Sequence, residues 1–119
     1  MGANVRISAR RPGAADELAR DMTRTLDLPE GSIRTVDWEG VAPEAIQSDA
    51  IVNATTVGLA SHAGELPALA WRTGQVALDF VYGETAFARS ARGNGARLVT
   101  GEQVLVRQGA LAFRIWLGR

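Results

Sequence analysis

Apolar residues recur along this chain in two alternating patterns. Short runs such as Val5 to Ala9, Ala50 to Asn53 and Val76 to Val81 have the length of strands and the Val and Ile content that buried strands favour. The stretch Ala14 to Leu26 instead repeats its large apolar residues every four positions, as an amphipathic helix does. Strands that alternate with helices are typical of a parallel sheet covered on both faces. The pattern therefore predicts an α/β fold.

Turn residues separate the remaining predicted elements. Pro12-Gly13 ends the first strand, and Leu28 to Gly31 reads as a turn. Val76 to Val81 is the most continuous apolar run, so it is predicted to be a central strand buried on both faces. No internal repeat or linker interrupts the pattern, which predicts a single domain over residues 1–119. The other predicted elements are a strand Ile33 to Trp38, a helical turn Pro43 to Ile46, a helix Thr85 to Arg92, a strand Arg97 to Val99 and a last helix Glu102 to Leu117.

Composition narrows the class of protein. The 13 acidic and 13 basic residues balance, so nothing points to nucleic acid or to a charged membrane surface. No apolar run approaches the roughly 20 residues of a membrane span. The chain has no cysteine, which excludes disulfides and thiolate metal sites, and a cytoplasmic location is expected. All 13 basic residues are arginine, so no mechanism within this chain can use a lysine as general base or Schiff-base former.

Three motifs lie at or just after the ends of predicted strands. They are Asn53-Ala-Thr-Thr-Val-Gly58, Asp79-Phe-Val-Tyr82 and the long segment from Gly101 to Gly118, which begins Gly-Glu-Gln-Val-Leu-Val-Arg-Gln-Gly-Ala. In this order and at nearly this spacing they resemble the nucleotide-binding half of the shikimate dehydrogenase family. That family has Asn-Ala-Thr-Ser-x-Gly, Asp-x-x-Tyr and Gly-x-x-Met-Leu-Val-x-Gln, and Val104 stands here where the family has Met.

The resemblance implies a Rossmann-like parallel sheet and NADP-dependent interconversion of 3-dehydroshikimate and shikimate. Val5 to Ala9 corresponds to the second strand of such a sheet, so the chain is expected to be truncated at its N-terminus and to lack the first strand, the glycine-rich loop and the first helix. Val5 to Ala9 and Ala50 to Asn53 would then miss the strand that normally lies between them. Direct pairing of the two, exchange with a second copy or a partner chain would each compensate.

Arg10 and Arg11 follow the strand end at which NAD-binding domains place an acidic residue. A pair of guanidinium groups suits a 2′-phosphate, so NADP is favoured over NAD as cofactor. The family usually has Asn-Arg-Thr or Asn-Arg-Ser here, whereas this chain has Ala9-Arg10-Arg11. The alternative is that both arginines are solvated residues at a strand end.

The other predicted cofactor residues come from the resemblance. It places Thr55 and Thr56 near the ribose and nicotinamide side of the cofactor, Phe80 behind the nicotinamide, and Gly101 among the cofactor-binding residues. Asn and Thr are also ordinary loop-stabilising residues, so the loop after Asn53 has a purely structural interpretation as well.

The resemblance also implies that Tyr82 and Gln108 bind the substrate, a shikimate-type hydroxy acid. Tyr82 is also compatible with a strand-end side chain that packs its ring and exposes its hydroxyl. The family has a threonine five residues beyond this tyrosine, but Thr85 follows Tyr82 by three. Helical spacing puts Gln108 on a face with Val104 and other apolar residues, so its amide is expected to need a partner, either substrate or backbone.

No catalytic residue and no metal site is predicted. His62 is the single histidine and reads as a solvated loop residue, and the acids of the first helix lack ligand spacing. Three function classes remain open. The first is a shikimate dehydrogenase segment that is inactive alone, either part of a split enzyme with a separate substrate lobe or a truncated product without activity. The second is a non-catalytic nucleotide-binding module, and the third is a structural domain that forms homodimers through its last helix.

Overall fold

A computed structural model describes residues 3–59 and 64–118. Within them every predicted strand and helix is present, with ends shifted by a few residues. Ile33 to Trp38, for example, is a strand only to Thr35, and Trp38–Gly40 forms a turn of 3₁₀-helix. The elements are β1 (Val5–Ile7), α1 (Ala14–Thr25), β2 (Ile33–Thr35), α2 (Val41–Gln47), β3 (Ala50–Asn53), β4 (Val76–Asp79), α3 (Ala86–Gly93), β5 (Arg97–Thr100) and α4 (Gly101–Trp116). No helix in the described ranges is long and apolar enough to cross a membrane.

The chain divides into two compact units, Met1–Pro43 and Glu44–Arg119. In the first, β1 and β2 are parallel, with Val5 opposite Ile33. The predicted apolar stripe of α1 is thinly covered, because Leu18 is 49% and Leu26 57% exposed and no residue of α1 is buried. A sheet of two short strands is too narrow to bury one whole face of a three-turn helix.

The second unit contains a three-stranded parallel sheet in the order β3-β4-β5. β4 is central, as its continuous apolar run predicted. The hydrophobic core of this unit consists of Ala77 of β4 with Phe87 and Ala91 of α3. The Trp71 ring meets the Phe87 ring edge-on at a centroid distance of 5.3 Å. The other apolar side chains packed against this core are Ile51, Leu66, Leu69, Ala96 and Leu98.

Gln75 fastens α2 to this sheet. Its side chain is 1% exposed, and its Nε2 donates to the carbonyls of Ala45 and Ser48 at 2.9 and 2.6 Å. Its Oε1 accepts from the Arg72 N–H at 2.7 Å. Because every polar atom of this amide is paired, its burial is not penalised.

The strands on either side of the predicted gap belong to different sheets. β1 pairs with β2, and β3 pairs with β4. Among the described strands, direct pairing of Val5 to Ala9 with Ala50 to Asn53 is therefore not found, and strand exchange or a partner chain stays a prediction. β3 is an edge strand with Val52 53% exposed. The crossover from β3 to β4 spans residues 54–75, and its described part contains no helix.

Candidate functional site

Polar residues end the three strands of the second unit. Asn53 of β3 lies opposite Asp79 of β4, which in turn lies opposite Thr100 of β5. The carboxyl ends of parallel strands form the edge at which α/β sheets bind ligands. The three motifs predicted to carry function all begin at this edge, so the register of the sheet brings them together.

Asp79 is the centre of the edge. Its Oδ1 accepts from Asn53 Nδ2 at 3.0 Å and from the Val81 N–H at 3.1 Å, and its Oδ2 accepts from the Thr85 hydroxyl. Asp79 and Asn53 are 1% and 3% exposed. The Thr85 hydroxyl also accepts from the Ala88 N–H and so caps α3. The sequence placed Asp79 in a motif but gave it no role; a carboxyl group at the end of a buried strand was the signal that it had one.

The loop after β3 uses Thr55 for its own structure. The Thr55 hydroxyl donates to Asn53 Oδ1 at 2.7 Å and accepts from the Val57 N–H at 3.1 Å. Thr56 is exposed, so its side chain is the more accessible of the two predicted cofactor contacts. The contacts of Thr55 match the loop-stabilising interpretation. The contact of Thr56 with a cofactor stays a prediction.

Gly101 allows α4 to start in contact with the loop between β4 and α3. A Cβ atom at this position would lie 2.7 Å from the Phe80 carbonyl oxygen and 2.9 Å from Tyr82 Cδ1. Phe80 is 46% and Tyr82 57% exposed. The structure thus gathers Phe80, Tyr82 and Gly101 at one place and presents two aromatic rings to solvent.

Glu102 and a capping box organise the first turn of α4. Thr100 Oγ1 accepts from the Gln103 N–H at 3.4 Å, and Gln103 Oε1 accepts from the Thr100 N–H at 3.2 Å. The Gly83 N–H donates to Glu102 Oε1 at 2.8 Å. This bond, more than those from the Glu102 N–H and the Thr100 hydroxyl, holds the pKa of Glu102 below its ordinary value.

Gln108 lies beyond that first turn and is exposed, so its amide can be solvated and does not need the partner that the apolar face of the helix had led us to expect. Among the described elements α4 packs mainly against β5, and its first turn also contacts the loop between β4 and α3. Its large apolar side chains are more than half exposed, namely Leu105, Val106, Leu111, Phe113, Ile115 and Trp116.

Arg10 and Arg11 lie in the first unit, beyond the end of β1, and both are exposed. Arg11 Nη2 approaches Glu17 Oε2 at 3.5 Å, a contact between two solvated groups that holds the arginine weakly. The nearby Ser8 hydroxyl is buried and has no hydrogen-bond partner among the described residues. The cations are therefore available to an anion.

Two further features are separate from the predicted ligand residues. A cavity of about 340 Å³ opens between residues 64–71 and α3, and none of the predicted ligand residues lines it. His62 lies outside the described residues, and within them no group of acids and histidines is placed to hold a metal ion.

Comparison with known proteins shows which enzymes this chain is similar to. A shikimate dehydrogenase from Anaeromyxobacter dehalogenans is 53% identical over all 119 residues, which make up 42% of that enzyme's length. The Thermus thermophilus enzyme, solved with NADP(H) and shikimate, superposes with a TM-score of 0.72 at 36% identity, covering 98% of this chain and 41% of that one. The chain is a homologue of shikimate dehydrogenases. It spans about two fifths of the length of these relatives.

A dehydrogenase named for a different substrate is also similar in structure. Quinate dehydrogenase from Corynebacterium glutamicum, solved with NAD, superposes with a TM-score of 0.77 at 25% identity over 96% of this chain and 41% of its own. No protein-family model matches the chain. The shikimate dehydrogenase resemblance and the Rossmann-like α/β fold are confirmed, while the individual site residues stay predictions.

Proposed function

We propose that this chain contributes the NADP-binding part of a shikimate dehydrogenase, the enzyme that interconverts 3-dehydroshikimate and shikimate. The observation that carries the proposal is the register of Asn53, Asp79 and Thr100, because it brings three motifs of the homologues to one sheet edge. The 53% identity over the whole chain supports the same assignment.

The residues present fit an NADP cofactor. Phe80 offers an exposed aromatic surface beside Gly101 against which a nicotinamide ring can pack, and Thr56 is exposed in the loop after β3. Arg10 and Arg11 offer two cations for a 2′-phosphate, which NAD lacks. When bound, NADP supplies or accepts the hydride. The work of this chain is then to bind and orient the cofactor on a loop that Asp79 holds in place.

Tyr82 and Gln108 would bind the substrate. A phenol and an amide each supply a hydrogen-bond donor and an acceptor, which suits the hydroxyl and carboxylate groups of a shikimate-type acid. Proton transfer needs a further group, since the chain has no lysine and the Asp79 oxygens are occupied by three donors. We therefore assign the general acid and base to a substrate lobe outside this sequence.

Calorimetric titration with NADP and NAD tests the cofactor assignment. We expect weak binding that favours NADP, and a loss of about tenfold in NADP affinity when Arg10→Ala and Arg11→Ala are combined, because charge-assisted bonds to the 2′-phosphate are removed. Arg20→Ala with Arg24→Ala, on exposed parts of α1, is the matched control. Equal affinity for NAD and NADP would contradict the proposal. NADP binding with no turnover even after a substrate lobe of a homologue is added would favour a non-catalytic nucleotide-binding module.

The exposure of α4 favours a second function, the joining of two copies. Val106 is 70%, Ile115 68% and Trp116 80% exposed, and a helix that is apolar around most of its circumference is normally buried. A homodimer that covers α4 needs no ligand. Sedimentation with and without NADP separates this function from the first.

A further inference from the structure

The geometry points to Glu102 as a positioning residue that holds the β4–α3 loop, and with it Tyr82, against the start of α4. The inference rests on the proposed function in one respect only, namely that Tyr82 contacts a hydroxy acid. The homologues' motif leaves the Glu102 position open, so the role follows from contacts in this structure.

The two ends of the loop are fixed to the same carboxyl group. The Val81 N–H and the Thr85 hydroxyl both donate to Asp79. Glu84 is tied to α3, since its carboxylate accepts from Arg92 Nη1 at 2.8 Å and its carbonyl accepts from Arg89 Nη1 at 2.8 Å. Between these anchors lie Tyr82 and Gly83.

Gly83 is where the centre of the loop is held. Its φ of 86° lies in a region of backbone conformation that L residues rarely adopt. Its N–H donates to Glu102 Oε1 at 2.8 Å. Tyr82 is thus placed between Val81, which Asp79 holds, and Gly83, which Glu102 holds. The close approach at Gly101 shapes this contact but forms no bond, so Glu102 supplies the directional link.

A carboxylate suits this position for two reasons. Glu102 lies in the first turn of α4, where unpaired N–H groups and the helix dipole favour negative charge. A bond from a backbone N–H to a charged acceptor is also stronger than a bond to a neutral one. Glutamine would keep the shape and weaken the link, whereas alanine would remove it.

Tyr82 is the single tyrosine of the chain, so a ring-labelled tyrosine gives one nuclear magnetic resonance signal that reports on this loop. We expect Glu102→Ala to raise the exchange rate of the Gly83 amide hydrogen by roughly threefold to tenfold, because its acceptor is lost. The Tyr82 ring signal should shift and gain mobility. Glu102→Gln should give a smaller change in the same direction.

Gln103→Ala is the matched control, because it breaks the capping box in the same helical turn and leaves Glu102 in place. If Gln103→Ala loosens Gly83 and Tyr82 as much as Glu102→Ala does, the effect is fraying of α4 and the inference is wrong. An unchanged Gly83 exchange rate in Glu102→Ala would overturn it equally.

A titration with shikimate separates the inference from the proposed function. If wild type binds shikimate at Tyr82, Glu102→Gln should weaken that binding by a few fold while Gln103→Ala does not. If wild type does not bind shikimate, Tyr82 and Gln108 do not hold the substrate without the substrate lobe, and the exchange and ring signals still decide whether Glu102 positions the loop.

Discussion

Single residues at the sheet edge act mainly by holding loops in place. Asp79 joins the end of β3, the loop that carries Tyr82 and the cap of α3 through three hydrogen bonds. Asn53 lies between Asp79 and the Thr55 loop. The sequence predicted that these motifs meet but could not assign their hydrogen bonds, because those depend on strand register.

Asp79→Asn should destabilise the fold by about 1–3 kcal/mol. One oxygen acceptor becomes an amide donor, so at least one of the three buried donors loses its acceptor or faces another donor. Urea unfolding measures the change. Asp49→Asn is the control, since Asp49 is fully exposed beside Arg72 and should cost less than about 0.5 kcal/mol. Equal effects of the two substitutions would contradict the role of Asp79.

Glu102 makes the loop sensitive to pH. Its pKa is lowered in the folded chain, chiefly by the bond from Gly83. The stability that it contributes is therefore complete above the ordinary pKa of a glutamate and is lost as the pH falls through the lowered value. The Gly83 amide signal should follow this titration, and the pH-dependent shift should vanish in Glu102→Gln.

At the scale of elements, hydrophobic periodicity predicted where each strand and helix lies. It did not predict which other elements pack against the apolar face of each one. α4 was predicted from its apolar spacing and starts one residue before its predicted first residue. The exposure of Gln108 was not predictable, because an apolar face shows that a helix needs cover without identifying the cover. The stripe of α1 illustrates the same limit, with Leu18 and Leu26 exposed.

Two glycines of α4 should respond oppositely to alanine. Gly101→Ala should cost about 1–3 kcal/mol, because the new methyl group meets the Phe80 carbonyl and the Tyr82 ring. Gly109→Ala meets nothing within 4 Å and should stabilise the helix by about 0.5–1 kcal/mol. Thermal unfolding compares them. A neutral Gly101→Ala would show that the contact yields without strain.

At the scale of the whole molecule, the exposed apolar surface of α4 predicts self-association in solution. Sedimentation at micromolar concentration should show a dimer or a larger species. Val106→Glu combined with Phe113→Glu places charge on one face of α4 and should shift the chain towards monomer, while Leu18→Glu on α1 should not. A soluble monomer at every concentration would argue against the homodimer.

The second prediction at this scale concerns activity. The chain alone should show no NADP-dependent oxidation of shikimate above background, because it contains no lysine and its buried carboxyl group is fully hydrogen-bonded. A spectrophotometric assay of NADPH formation measures this. Turnover that accompanies the chain through purification and disappears in Gln108→Ala would overturn the prediction.

The crossover at residues 54–75, which has no helix in its described part, bears on the order in which the second unit assembles. β4, α3 and β5 are contiguous over residues 76–100, so they can form a nucleus by closing short segments. β3 must instead close a segment of more than twenty residues before its pairing is rewarded, and such closures are slow. We therefore expect the polar edge to be completed last, when Asn53 docks on Asp79, after α3 has gained its cap and while the loop that faces the ligand is still unformed.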